Sequence, residues 1–208
     1  MLIIMGLIAL LVGVGLWRRQ AERRRPLPCP SWLSWLLENP YMQTVAGSSV
    51  ILKRIDLAPG MRVLDVGCGP GRIAIPVAKA VGTSGQVVAL DIQPAMLRKL
   101  EKRIAANGIT NIQTVLGAIG QGVLEQNAFD RALLVTVLGE ITDQEAALRE
   151  IYRALKAGGI LSVTEVIPDP DYQSRRTVKR LCQAAGFQLD SVHGSWLAFT
   201  MNFVKPHS

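Results

Sequence analysis

Cysteine and histidine are scarce in this chain: three cysteines (Cys29, Cys68, Cys182) and two histidines (His193, His207) in 208 residues. Thiols that far apart, and odd in number, support neither a disulfide framework nor a spaced zinc site. Two histidines leave little for metal ligation or imidazole catalysis. A reducing compartment and chemistry without a metal are the expectation. Aromatic residues make up only 5% of the chain, too few for the basic stripe with stacking rings by which RNA is held. The net charge of +7 looks like a nucleic-acid signal until it is located. Arg18, Arg19, Arg23, Arg24 and Arg25 against Glu22 carry four of those seven charges, so the rest of the chain is only mildly basic and no nucleic-acid partner is expected. A hydrophobic fraction of 49% excludes disorder and fits one ordinary globular domain.

Charge and strongly polar side chains are also missing from Leu2 to Trp17. As a helix at roughly 1.5 Å per residue this run is about 24 Å long, short of a hydrocarbon core of about 30 Å. Thinning of the bilayer, with Arg18 and Arg19 reaching toward phosphates, absorbs such a mismatch. A secretory signal carries its positive charge before the apolar run, whereas here the arginines follow it. The expectation is therefore an uncleaved single-pass anchor over residues 1–19, with everything after it on the cytoplasmic side. Residues 20–30 read as a basic linker stiffened by Pro26, Pro28 and Pro30. A domain over 31–208 follows. It opens with a Trp-rich amphipathic segment, Ser31 to Asn39, that either closes the core or lies at the membrane interface as a lid.

From Arg62 onward apolar strand-like runs alternate with helical spacing. Arg62–Val66, Gln86–Leu90, Ile112–Leu116, Arg131–Leu138 and Ile160–Val166 read as strands. Arg72–Val81, Pro94–Asn107, Gln144–Lys156 and Arg175–Ala185 read as helices, the third closed by Gly158-Gly159. Such alternation gives an α/β fold with a Rossmann-like, mostly parallel sheet covered on both faces. The end differs: Phe187–His193 and Trp196–Val204 flank Gly194-Ser195, a hairpin signal, and one antiparallel strand at the sheet edge is expected.

The chemistry lies in the loop after the first strand, Gly67-Cys68-Gly69-Pro70-Gly71. Its glycines allow sharp turns and close backbone approach to a ligand, and it opens a helix whose free amides favour polar or anionic atoms. The dinucleotide fingerprint fails because Arg72 stands at its third glycine, and the phosphate-binding loop of nucleotide hydrolases fails because no Gly-Lys-Ser/Thr follows. What stands is a glycine loop with Asp65 two residues before it and Asp91 at the end of the next strand, about 20 residues on, where an acid can hold the two hydroxyls of a ribose. Asp65 could instead cap the loop or helix, and Cys68 reads as a small filler rather than a nucleophile.

These stretches resemble the class I S-adenosylmethionine-dependent methyltransferases. Val63-Leu-Asp-Val-Gly-Cys-Gly-Pro-Gly71 is similar to the family's first motif, Val88 to Leu97 to its second, and Leu155-Lys-Ala-Gly-Gly-Ile-Leu161 to the motif that leads into its fifth strand. The short chain and Thr164-Glu165 look most like the branch that C-methylates ubiquinone and menaquinone precursors. The resemblance implies S-adenosylmethionine as cofactor, with Asp65, Gly67 and Gly69 around its methionine part, Cys68 and Gly71 in the same cofactor-binding loop, Asp91 on the ribose and Ile92 on the adenine. The family often places an Asp after the third strand for the adenine amino group. Here that place holds Ala118, so backbone groups or Gln121 must serve.

A sulfonium is already an activated methyl donor, so the enzyme mainly aligns the reacting atoms in a dry pocket. Glu140, after the fourth strand, is the first candidate for orienting or deprotonating the acceptor, and Glu165, ending the fifth, is the second. Each can equally be a loop or helix cap. The anchor argues for a small, apolar or lipid-associated acceptor, quinone-like or a lipid headgroup. A catalytically silent subunit held by its anchor in a larger membrane protein complex is the alternative. Arg175, Arg176, Lys179 and Arg180 make a local basic face suited to lipid phosphate.

Overall fold

A computed structural model describes residues 40–207. The anchor expected at Leu2–Trp17, the linker 20–30 and the Trp-rich segment 31–39 lie outside the described residues. Among the described residues no helix is long and apolar enough to cross a membrane.

Seven strands form one sheet: β1 (Arg62–Val66), β2 (Gln86–Asp91), β3 (Ile112–Leu116), β4 (Phe129–Val135), β5 (Leu155–Val166), β6 (Gln188–Gly194) and β7 (Ala198–Val204), in spatial order β3-β2-β1-β4-β5-β7-β6. The first five run parallel. β1, β2 and β4 are buried along almost their whole length, as strands covered by helices on both faces must be, and this is why they read as mainly apolar runs without polar alternation. One face of the sheet packs Val63, Val87, Leu133 and Ile51 with the helices Ala74–Val81 and Pro94–Ala106. The other packs Leu64, Leu134 and Phe199 with the helices Gln144–Ala154 and Arg175–Ala184. β1 lies between β2 and β4, so the crossovers leave it in opposite directions. The carboxyl ends of β1 and β4 therefore border an open crevice, the usual ligand place in such sheets.

Several expectations need correction, the simplest being that the strand expected over Arg131–Leu138 runs over Phe129–Val135, Leu138 instead opening a short helix. The antiparallel strand is not at the edge: β7 is inserted between β5 and β6 and pairs antiparallel with both, leaving β6 outermost. The cause is burial, since Ala198–Val204 is apolar or buried on both faces while Gln188–Gly194 alternates exposed and half-buried residues, as an edge strand does. The helix expected to run to Lys156 ends at Ala154, and β5 begins at Leu155. Residues 156–159 then bulge out of the ladder, because Phe129 pairs with Leu155 but Arg131 with Ile160. The bulge is tied down by Lys156 Nζ donating to Asp130 Oδ1 at 2.7 Å.

Candidate active site

At the end of β1 the chain turns through Gly67 and Cys68, whose N–H groups both donate to the Leu90 carbonyl at 2.8 and 3.1 Å. Gly67, Gly69 and Gly71 all have φ between +53° and +87°, the left-handed region that favours glycine. They differ in what surrounds them. A Cβ on Gly67 would meet Val137 Cγ2 at 2.6 Å, and one on Gly71 would run into Leu100 Cδ1, whereas one on Gly69 would find nothing within 4 Å. Gly67 is thus required by packing, whereas at Gly71 the end of the Leu100 side chain could yield and the positive φ is the tighter constraint. Gly69 is required by nothing inside the protein except its turn, and a Cβ there would stand in open space.

Asp91, at the end of β2, fixes that face. Its Oδ2 accepts from the Gly69 N–H at 2.9 Å and its Oδ1 from the Gln93 N–H at 2.8 Å. Burial pushes its carboxyl up, and these backbone donors pull it partly back. Each oxygen keeps a further lone pair for a ligand hydroxyl. Next to it Ile92 is 50% exposed, an apolar side chain left on the surface beside Asp91.

Asp65 is buried, and its Oδ2 has no hydrogen-bond partner. Desolvation raises its pKa to about 7, with Asp91 pushing the same way against Arg72 and the Ala74 N–H. A buried acceptor without a donor is costly, and here it sits beside the glycine loop. Cys68 is buried, its thiol pushed far up by burial and the two nearby carboxyls, so it is a filler and not a thiolate nucleophile.

Beyond β3 lies the segment carrying half-buried Ala118 and exposed Gln121. The sequence reading missed what orders it. Glu150, only 3% exposed on the helix Gln144–Ala154, accepts three backbone N–H groups from this loop: Gly120 and Gly122 on Oε2 at 2.5 and 3.0 Å, and Leu124 on Oε1 at 2.9 Å. The signal was available, because Glu150 falls on the helix's buried stripe with Ala147, Leu148, Ile151 and Ala154, where an acid must have donors.

The two acids proposed for the acceptor side come together. Thr136, just after β4, has φ +56°, a strained value for a β-branched residue, and turns the chain into the short helix Leu138–Glu140. Gly139 there abuts the Asp171 carbonyl, which brings Glu140 against the segment after β5. Glu165, 1% exposed, accepts from the Gln173 N–H through Oε2 at 3.1 Å, while its Oε1 is without a partner. Desolvation raises its pKa to about 8, and Asp169, Asp171 and Glu140 add to the rise against the Gln173 bond. His193, by contrast, is on the edge strand β6.

These shifts predict an unusual stability profile. A carboxyl whose folded pKa lies above its unfolded value binds more protons folded than unfolded, so stability falls as pH rises between the two. For Glu165 and Asp65 that window runs from the ordinary carboxylate range to about 8 and about 7. Thermal unfolding should show the melting temperature dropping from pH 5 to pH 8, and Glu165→Gln should flatten the drop. A melting temperature that climbs over this window would contradict the burial of both acids.

Comparison with known proteins agrees with this geometry. Residues 57–192 match the family described as "Methyltransferase domain". A demethylmenaquinone methyltransferase of Geobacillus kaustophilus is 34% identical over 110 residues, 53% of this chain and 47% of that protein. An arsenite methyltransferase of Halobacterium salinarum is 30% identical over 118 residues, 55% of this chain and 30% of that one. The matches thus span about half or less of these curated relatives. The crystal structure of a SAM-dependent methyltransferase from Aquifex aeolicus superimposes with a TM-score of 0.77 at 23% identity, over 84% of this chain and 98% of that one.

Proposed function

The chain belongs to the methyltransferase domain family, the class I S-adenosylmethionine-dependent methyltransferases, and from that premise we propose that it methylates a small apolar acceptor of quinone type at a membrane surface. The observation that carries the reading is the pairing, at the carboxyl ends of the parallel strands β1 and β5, of a glycine loop open at Gly69 with a buried acid at Glu165. Leu2–Trp17, followed by its arginines, supports a single-pass anchor with the domain on the cytoplasmic side. Similarity to a demethylmenaquinone methyltransferase supports a ring acceptor. Similarity to an arsenite methyltransferase weighs less, because a soft arsenic centre calls for thiolate ligands, and among the described residues the cysteines, Cys68 and Cys182, are buried with their thiols pushed up.

The residues present suit the cofactor. Asp65 Oδ2 is an orphan acceptor where a ligand ammonium would supply the donor, and the face of Gly69 leaves room for backbone approach. Asp91 would take the ribose hydroxyls, Ile92 the adenine face, and Ala118 and Gln121 the adenine edge. When bound, S-adenosylmethionine supplies an electrophilic methyl group. The chain itself binds and orients the acceptor, excludes water and manages one proton. At neutral pH Glu165 is largely protonated, so it can lie beside an apolar ring without burying a charge. As pH rises toward 8 it ionises, and its unpartnered Oε1 can take the proton the acceptor gives up. Glu140, next to it, orients the acceptor.

Turnover should therefore rise through about pH 8 in the wild type and lose that rise in Glu165→Gln. The decisive experiment incubates the purified full chain with methyl-labelled S-adenosylmethionine and a total lipid and quinone extract. Label is expected in an apolar ring compound. Tight cofactor binding without transfer to any lipid-extractable compound would favour the silent-subunit alternative, and label in water-soluble metabolites alone would overturn the apolar acceptor.

A further inference from the structure

The largest exposed apolar side chain among the described residues stands at the tip of the β6–β7 hairpin. Trp196 is 69% exposed and Leu197 beside it 39%. Fraying does not account for this, because the tip is fastened on every side. Tyr172 Oη donates to the Trp196 carbonyl at 2.9 Å, Ser195 N–H to the Ala198 carbonyl at 2.9 Å, Leu197 N–H to Ser195 Oγ at 3.2 Å, and Ile167 N–H to the Leu197 carbonyl at 2.7 Å. A rigid backbone thus presents an indole to the outside. Arg175 joins this tip to the helix Arg175–Ala184: its guanidinium donates to the Gly194 carbonyl at 2.9 Å and lies over the Phe199 ring, 5.3 Å from the centroid.

That helix buries Val178, Leu181 and Cys182 and turns Arg176, Lys179 and Arg180 outward as a single exposed stripe at i, i+3, i+4 spacing. It contains no acidic residue. An indole prefers the headgroup level of a bilayer, where its apolar ring and polar N–H are both accommodated, and cations beside it are drawn to anionic headgroups. The position also matters. Ala198 pairs with Val166 and Phe199 with Glu165, so the tip lies at the same sheet end as the acceptor acids.

We propose that the hairpin tip Trp196-Leu197, with the stripe Arg176, Lys179 and Arg180, docks on an anionic phospholipid surface and sets the acceptor end of the site against the bilayer. The usefulness of this docking rests on the apolar-acceptor reading above; the docking itself does not. It orients the domain, which attachment at one point of the chain would not by itself fix.

The test uses the full chain with Trp17, Trp32 and Trp35 replaced by Phe, so that Trp196 is the only indole. Vesicles are of phosphatidylcholine with brominated acyl chains, with or without phosphatidylglycerol. The emission of Trp196 should shift to the blue and be quenched on the vesicles containing phosphatidylglycerol. The combined Arg176→Glu, Lys179→Glu and Arg180→Glu variant should need at least about tenfold more anionic lipid for the same quenching, with an unchanged circular dichroism spectrum. Protein that sediments with vesicles while Trp196 emission stays unaltered overturns the proposal, since an anchor alone then does the binding. So does quenching indifferent to phosphatidylglycerol and to charge reversal. Shielding of Trp196 from iodide before any lipid is added also overturns it, because another part of the chain or a protein then covers the tip. Methyl transfer to a quinone in detergent micelles, where docking is not needed, tells failure of this inference from failure of the apolar-acceptor reading.

Discussion

Gly69→Leu should abolish measurable binding of S-adenosylmethionine in a protein that still folds, whereas Gly67→Leu should lose roughly 2–5 kcal/mol of stability. Both positions have positive φ, so each substitution carries a backbone cost of roughly 1–2 kcal/mol. The difference lies in what the new side chain meets. At Gly67 it is driven into Val137, whose two methyl carbons stand 2.6 and 2.7 Å from a Cβ, and overpacking of a buried contact costs about 1–3 kcal/mol more. At Gly69 it enters open space and fills the face that the cofactor would approach. Calorimetry on Gly69→Leu, alongside a thermal melt, decides the matter. Undiminished binding would mean that the cofactor does not use this face, and the assignment of the glycine loop would fall.

Glu150→Ala is the second large effect. It strands the N–H groups of Gly120, Gly122 and Leu124, which now share one carboxylate. A buried donor left without an acceptor costs about 1–3 kcal/mol. The loop can open to water and recover part of this, so a net loss of roughly 3 kcal/mol is expected in denaturant unfolding. Opening releases Ala118 and Gln121, and cofactor affinity should fall by about tenfold or more in the protein that remains folded. Glu150→Gln, which retains one acceptor oxygen, should lie between. Lost stability with unchanged affinity would place this loop outside the cofactor site.

Much of the architecture can be read from local pattern. β1, β2 and β4 are mainly apolar because both faces are covered, and the helix Pro94–Ala106 announces itself by Pro94 at its start and Asn107-Gly108 after its end. Asp65, Gly69 and Asp91 meet in space because each ends or follows a parallel strand, and parallel strands end on the same side. What escapes the pattern is set by distant partners. Gly158-Gly159 reads as a helix stop, yet the strand starts before it, because Leu155 finds Phe129 across the ladder. Glu150 reads as an ordinary helix acid until the loop that needs its oxygens is known. Trp196-Leu197 reads as strand, but the hairpin's bonds to Tyr172 and Ile167 hold both residues outside the ladder.

The interior seat of β7 has a consequence for how the sheet is completed. Its two neighbours come from earlier in the chain, so until β7 arrives the twelve-residue β5 has one long open side. The pairing it awaits joins Ile160 to Val204 and Val166 to Ala198, contacts across several dozen residues that close slowly relative to local structure. In that interval the apolar stretch Ile160–Val166 is a template for strands of other molecules. Slowed docking of β7 would therefore appear first as association between chains during folding, before any defect in the finished enzyme.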